Sequence, residues 1–83
     1  MNNFVVSGDY VGCKVKHTNN HLYIHFKNSL AVFISMNTIT NYELLYSDNK
    51  NRYCLKIYFK NKKISVLEIN KSLYNLLIKS LYR

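Results

Sequence analysis

The sequence has 83 residues and a net charge of +8, with 12 lysines and arginines against 4 aspartates and glutamates. Its hydrophobic fraction of 48% is typical of a globular domain, and we expect one small domain, residues 1–83, with little room for an enclosed active site. No window approaches the roughly 20 apolar residues of a membrane-spanning helix, and the N-terminus lacks the features of a signal peptide. We therefore expect a cytoplasmic protein whose two cysteines are reduced.

Apolar patterns in the N-terminal half predict four short strands: Phe4–Val6, Tyr10–His17, His21–Lys27 and Leu30–Ser35. The second and third alternate, and their inward residues are predicted to be Val11, Cys13, Val15, Leu22, Ile24 and Phe26. The fourth is apolar on both faces, which predicts a central or covered strand. A further strand is predicted over Ile39–Tyr46, but its apolar positions have mixed parity and leave its register open.

The clearest pattern is a hairpin between Tyr53 and Ile69. Its first strand alternates, and Asn61-Lys62 is short enough for a two-residue turn in which Asn tolerates a positive φ. This turn sets Phe59 opposite Ile64 and Ile57 opposite Val66, which predicts apolar cross-strand pairs on one face. The predicted strands therefore end at about residue 69.

An amphipathic helix is predicted to follow over residues 71–82. Asn70 is a favoured N-cap residue, and Leu73, Leu77 and Leu81 form an apolar stripe at helical spacing. We expect this stripe to cover the apolar face of the hairpin. The predicted fold class is α+β, mostly β: six or seven short antiparallel strands in a curved sheet or small half-barrel, with one C-terminal helix packed on it.

Two segments resemble bacterial PH-like domains. Residues 31–44 are similar to the passage in which a hydrophobic strand, a short loop and an isolated Ile lead into the next strand. Residues 55–81 are similar to the last hairpin and the helix that caps it. The resemblance covers most of the chain as a pattern, without an invariant motif. It implies a strand-rich half-barrel and a module that binds a protein or an anionic lipid.

The outward faces of the predicted strands combine lysines with aromatic rings, a composition that suits single-stranded nucleic acid because Lys neutralises phosphates and rings stack on bases. The candidate binding residues on strands and at the hairpin tip are Tyr10, Lys14, Lys16, Tyr23, His25, Lys27, Lys56, Tyr58, Lys60, Lys62 and Lys63. Exposed strands also carry Tyr and Lys without any ligand, and AT-rich codons account for part of the lysine excess. Both interpretations stay open on sequence alone.

Metal binding and catalysis are not expected. The potential zinc ligands are Cys13, His17, His21, His25 and Cys54. Four-residue steps on a strand separate side chains by about 13 Å, which is too far for one zinc ion. Cys13 is predicted to be buried, and Cys54 to be exposed beside Lys56 without an acid–base partner. We expect no cofactor.

The sequence therefore favours a small, basic, non-catalytic protein that binds a nucleic acid or a nucleoprotein complex. An inhibitor of a host defence complex, encoded by a phage or mobile element, agrees with the small size and basic charge. The alternative is the PH-like module, with Lys60, Lys62 and Lys63 clustered at the hairpin tip to bind anionic headgroups. The oligomeric state is left open between monomer and homodimer.

Overall fold

The computed structural model describes residues 3–18, 21–25, 31–48 and 52–82. They form, in order, β1 (Phe4–Gly8), β2 (Lys14–Thr18), β3 (His21–His25), β4 (Ala31–Ser35), a 3-10 turn (Met36–Thr38), β5 (Ile39–Ser47), β6 (Arg52–Phe59), β7 (Ile64–Asn70) and α1 (Lys71–Leu81). The seven strands make one antiparallel sheet in the order β4-β3-β2-β1-β7-β6-β5.

The sheet is curled, because its two edge strands are consecutive in the chain. Six spacings of about 4.8 Å would separate β4 from β5 by about 29 Å in a flat sheet. The three-residue turn that joins them spans at most about 10 Å. The backbone N–H of Lys60 donates to the Thr38 carbonyl (2.8 Å) and fixes this turn against the β6–β7 loop. A curled half-barrel with one C-terminal helix confirms the predicted fold class.

The predicted strand Tyr10–His17 is too long at its N-terminal end. Tyr10 has a φ of 66° and lies in a turn, and Val11 is 61% exposed, not inward as predicted. The turn is closed by the Cys13 N–H, which donates to the Tyr10 carbonyl (3.1 Å). Strand β2 begins only at Lys14, and its inward Val15 is 2% exposed. Leu22 and Ile24 of β3 are fully buried as predicted, whereas Phe26 and Lys27 lie outside the described residues.

The prediction that Leu30–Ser35 is a central or covered strand is wrong. Within the described chain, β4 pairs with β3 alone and forms one edge of the sheet. Ile34 is partly buried against the core, but Phe33 points the other way and is 62% exposed. The strand is therefore apolar on its outer face because it carries an exposed aromatic side chain there, and not because that face is covered.

Strand β5 forms the other edge and contains two irregularities, between Ile39 and Asn41 and between Leu44 and Tyr46. Each inserts an extra residue relative to β6, so the alternation of inward and outward side chains restarts. This explains the mixed parity of the sequence.

The β6–β7 hairpin exists, but its predicted register is wrong by one residue. Leu55 lies opposite Leu67 and Tyr58 opposite Ile64, not Phe59 opposite Ile64. The Lys62 N–H donates to the Phe59 carbonyl (3.0 Å) and Lys62 has a φ of 69°, so the loop has three residues, with Lys62 rather than Asn61 in the left-handed conformation.

A one-residue slip exchanges the two faces of a strand. The core face of β7 therefore consists of Ser65, Leu67 and Ile69, each fully buried, while Ile64 and Val66 are only partly buried. Ser65 is compatible with this position because its hydroxyl donates to the Asp9 carbonyl (2.7 Å).

Helix α1 closes the core. The Asn70 side chain accepts the Leu73 N–H (2.9 Å), which confirms the predicted N-cap. Leu73 and Leu77 are buried in one cluster with Leu55 and Ile57, so the helix covers the hairpin as predicted. It also packs against β2 and the 3-10 turn. No helix in the described ranges is long and apolar enough to cross a bilayer.

Candidate binding surface

The structure divides the predicted binding residues into three groups. The first lies on β2 and β3, the second on β6, and the third at the β6–β7 hairpin tip together with the β1–β2 turn. The first group consists of Lys14, Lys16, Tyr23 and His25. The second consists of Lys56 and Tyr58, and the third of Tyr10, Lys60, Lys62 and Lys63. Lys27 lies outside the described residues. Strands β1 and β7 separate the first group from the second, so the predicted residues do not form one continuous surface.

The first group is assembled by strand register. Lys14 lies directly opposite His25, and Lys16 opposite Tyr23, so all four side chains share the outer face. The inward residues between them, Val15 and Ile24, are buried in the core and fix this orientation. Phe33 of β4 lies opposite Tyr23 on the same side. We call this surface the basic–aromatic face, and its residues are Lys14, Lys16, His21, Tyr23, His25 and Phe33.

Aromatic contacts order the centre of the basic–aromatic face. The Tyr23 and Phe33 ring centroids are 4.7 Å apart at an interplanar angle of 73°. The Tyr23 and His25 rings are nearly parallel (11°) with centroids 6.1 Å apart. His21 meets Phe33 edge-on at 6.4 Å. The result is a row of rings held against the sheet, with the two lysines of β2 alongside.

Sequence reasoning missed Phe33, because a covered strand would have hidden it. The signal was available in the neighbouring strand. Once Tyr23 and His25 are placed outward, antiparallel pairing puts alternate residues of β4 on the same face. A large apolar side chain at one of those positions is then exposed on the outer face.

The acidic residues have partners elsewhere in the fold. Asp9 accepts the Ile64 N–H (2.9 Å), and the Asp48 side chain accepts the Arg52 N–H (3.2 Å). Glu68 forms an ion pair with Arg52 at 3.1 Å. Glu43 accepts a hydrogen bond from the Tyr58 hydroxyl (3.4 Å). Since these are the four acids of the sequence, none belongs to the basic–aromatic face.

The second group, on β6, has balanced charge. The Lys56 ammonium lies 5.2 Å from the centroid of the Tyr58 ring. Lys56 is also directly opposite Glu43 on β5, and both β6 side chains are only partly exposed. This group is therefore less suited to binding an anion than the sequence suggested.

The third group is strongly basic. Lys60, Lys62 and Lys63 are all exposed at the hairpin tip. The Lys63 ammonium lies 5.0 Å from the centroid of the Tyr10 ring and 3.4 Å from its hydroxyl oxygen. Residues of this tip and of β4 line a cleft of about 270 Å³, together with neighbouring turns; its lining residues are Tyr10, Phe33, Ile34, Ser35, Thr38, Phe59 and Asn61. Asn61 of the hairpin loop and Phe33 thus line the same cleft.

The cysteines are packed within the fold. Cys13 is 7% exposed, as predicted, but Cys54 is only 4% exposed, because Tyr46 and Glu68 flank it on the neighbouring strands. Burial raises the pKa of the Cys54 thiol, and the negative charge of Glu68 raises it further. The hydrogen bond with Tyr46 lowers this pKa but does not reverse the shift. The neutral thiol is therefore favoured, and it is a poor nucleophile. Within the described ranges, no three His, Cys, Asp or Glu side chains are grouped as a metal site.

Comparison of the sequence with models of known families and with curated proteins finds no match.

Proposed function

We propose that the protein is a small, non-catalytic binding protein whose basic–aromatic face binds single-stranded nucleic acid, either free or within a nucleoprotein complex. The observation that carries this proposal is the exposed Phe33 ring packed against Tyr23, with Lys16 directly opposite Tyr23 on the adjacent strand. Rings on which bases stack, next to cations that neutralise phosphates, are the usual elements of sequence-tolerant single-strand recognition.

The spacing of the face suits an extended strand. Lys14 and Lys16 alternate on β2 and are therefore about 6.8 Å apart along the strand. They flank the rings of β3 and β4 on one side, so one phosphate backbone can run along β2 while its bases lie over Tyr23 and Phe33. A duplex presents stacked bases that these rings cannot reach, and so we expect it to bind more weakly.

If the partner is a nucleoprotein complex, the protein could be an inhibitor of a host defence complex, encoded by a phage or a mobile element. In that case the basic–aromatic face would compete with a host protein for its nucleic acid. The small size of the chain and its charge of +8 agree with such a role.

A second candidate is a PH-like module that binds anionic lipid. It is favoured by the three exposed lysines at the hairpin tip and by the half-barrel with its C-terminal helix. Polybasic segments are attracted to anionic membranes at about 1 kcal/mol per basic residue. Retention on anionic vesicles that is lost on replacing Lys60, Lys62 and Lys63 by Ala would support this candidate.

The proposed function is tested by fluorescence anisotropy with labelled single-stranded DNA and RNA, and with the matching duplex. We expect single strands to bind more tightly. Phe33→Ser should weaken their binding by about 1–3 kcal/mol through lost stacking. Leu76→Ser is the matched control, because Leu76 is also an exposed apolar residue (47%) but lies on α1. Equal losses in both variants, or no binding of single strands at low salt, would refute the proposal.

A further inference from the structure

The cleft between β4 and the β6–β7 loop has aromatic walls. Tyr10, Phe33 and Phe59 line it, and Ile34 adds to its apolar surface. The Tyr10 and Phe59 rings meet edge-on with centroids 6.4 Å apart. The cleft volume of about 270 Å³ is just below the range of about 300–1,000 Å³ that drug-sized ligands occupy. The cleft therefore suits one flat ring system rather than a larger molecule.

Hydrogen bonds fix the walls of this cleft. The Lys60 N–H donates to the Thr38 carbonyl (2.8 Å), and the Thr38 hydroxyl donates to the Ser35 carbonyl (2.7 Å). These two bonds hold the hairpin loop, the 3-10 turn and the end of β4 together. The Lys63 ammonium, 5.0 Å from the centroid of the Tyr10 ring, ties the β1–β2 turn to the same loop. A site whose walls are already ordered loses less conformational entropy when a ligand binds.

The cleft also offers hydrogen-bond donors. Asn61 Oδ1 accepts the Lys63 N–H (3.1 Å), which leaves the Asn61 amide nitrogen, a donor only, for a ligand. Ser35 Oγ accepts the Asn37 N–H (3.3 Å), so its own hydroxyl proton supplies a second donor. Ring nitrogens and carbonyl oxygens of nucleobases accept bonds of this kind.

Positive charge lies beside the cleft. Lys60, Lys62 and Lys63 are exposed on the hairpin loop that carries Asn61. The β1–β2 turn contributes one acid, Asp9, whose carboxylate is engaged by a backbone N–H of β7 (2.9 Å). With three ammonium groups against one carboxylate, this loop attracts an anionic group attached to a ring in the cleft.

The cleft adjoins the basic–aromatic face at Phe33. This side chain lines the cleft, and its ring also packs against Tyr23 at the centre of that face. Among the described residues, β4 pairs with β3 alone, so Phe33 lies at an edge of the sheet. A single strand that stacks on Phe33 can therefore place its next base in the cleft.

We propose that the cleft holds one nucleobase of the strand bound on the basic–aromatic face, while the adjoining phosphate contacts the lysines of the hairpin loop. This inference rests on the proposed function and adds to it one position at which the protein encloses a base. Aromatic walls and two donors suit a flat base with acceptor atoms, whereas a phosphate alone would use only the lysines.

Chemical-shift mapping of the isotope-labelled wild type tests the site without a substitution. The probes are a short oligothymidylate and an abasic strand of the same length, which has phosphates but no bases. The oligothymidylate should shift the amides of Ser35, Thr38 and Asn61 together with those of β2 and β3. The abasic strand should leave the three cleft amides close to their free positions.

The mapping separates this inference from the proposed function. Shifts confined to β2 and β3 would overturn the cleft as a base site and leave the proposed function standing. Cleft shifts of equal size with the abasic strand would also overturn it, because the lysines alone would then account for binding. The absence of shifts with either strand would contradict both proposals.

A pair of matched variants supplies the second test. Asn61→Asp keeps the oxygen that accepts the Lys63 N–H, removes the donor amide and places a carboxylate next to the phosphate. Its affinity for the oligothymidylate should fall about tenfold. Asn75→Asp, on an exposed position of α1, makes the same change in charge and should have a much smaller effect. The amide spectrum of each variant checks its fold, and equal losses in the two variants would overturn the proposal.

Discussion

The His17 imidazole Nε2 lies 2.9 Å from the Ser80 hydroxyl oxygen, and this hydrogen bond joins β2 to α1. Burial lowers the pKa of His17 below its ordinary value of 6.5, and the neighbouring His21 lowers it further. The folded protein therefore holds His17 neutral at a pH where the unfolded chain already binds a proton. The contribution of neutral His17 is fully present above about pH 6.5 and declines as the pH falls below that value.

We predict that the free energy of unfolding, measured by urea denaturation, decreases more between about pH 7 and pH 5 in the wild type than in His17→Gln, which cannot titrate. His25→Gln serves as the control, because it is the same substitution at a histidine on the outer face of β3. An identical pH dependence in wild type and His17→Gln would show that the His17 imidazole does not cause the loss of stability at low pH.

The packing of α1 is tested by two adjacent leucines. Leu77 is fully buried against the sheet, whereas Leu76 is 47% exposed on the same helix. Leu77→Ala should lower the free energy of unfolding by about 2–5 kcal/mol, a large part of the stability of so small a domain. Leu76→Ala has the same helix propensity change and should cost less than about 1 kcal/mol. Denaturation midpoints that move equally would mean that the helix is not docked through Leu77.

Two glycines with positive φ test the approach of β1 to β7. Gly8 has a φ of +82° and Gly12 a φ of +87°, and any residue with a side chain at either position would be strained. In the left-handed region this strain costs about 1–2 kcal/mol. A Cβ at Gly8 would also overlap the Ile64 carbonyl oxygen, while at Gly12 it meets open space. Thermal unfolding should therefore show a clearly larger loss of stability for Gly8→Ala than for Gly12→Ala. The reverse order would place the Gly8–Ile64 contact in doubt.

The fold class could be predicted because strand alternation and the helical stripe are local patterns. Register could not, because it depends on the loop. The sequence predicts a positive φ at Asn61 in a two-residue turn, but Lys62 adopts it in a three-residue loop. The longer loop moves Ile64 and Val66 off the core face. Strand order is likewise non-local: nothing in Leu30–Ser35 itself says that β4 is an edge.

The part of the candidate site that lies on one pair of strands could be predicted from the sequence. The part that depends on the order of strands in the whole sheet could not. Lys14, Lys16, Tyr23 and His25 are on the outer face as their alternation indicated. Their separation from Lys56 and Tyr58 follows from the insertion of β1 and β7 between β2 and β6, which no local pattern encodes. The burial of Cys54 depends equally on residues that reach it from two other strands.

Contact between the basic–aromatic face and phosphates is tested by removing the charge of its lysines. Two lysine pairs of the same size are available in exposed positions: Lys14 and Lys16 on that face, and Lys71 and Lys79 on α1. Each pair is replaced by Ala, which removes the same net charge from the protein. A general attraction of a basic protein to a polyanion would be reduced by the two changes alike.

The decisive measurement is the slope of log affinity against log salt concentration for single-stranded nucleic acid, in the wild type and in both double variants. Each lost phosphate contact should flatten the slope by about 0.7. We expect a slope flatter by about 1.4 for Lys14→Ala/Lys16→Ala and an almost unchanged slope for Lys71→Ala/Lys79→Ala. Equal slopes in the two double variants would show that Lys14 and Lys16 do not contact phosphates.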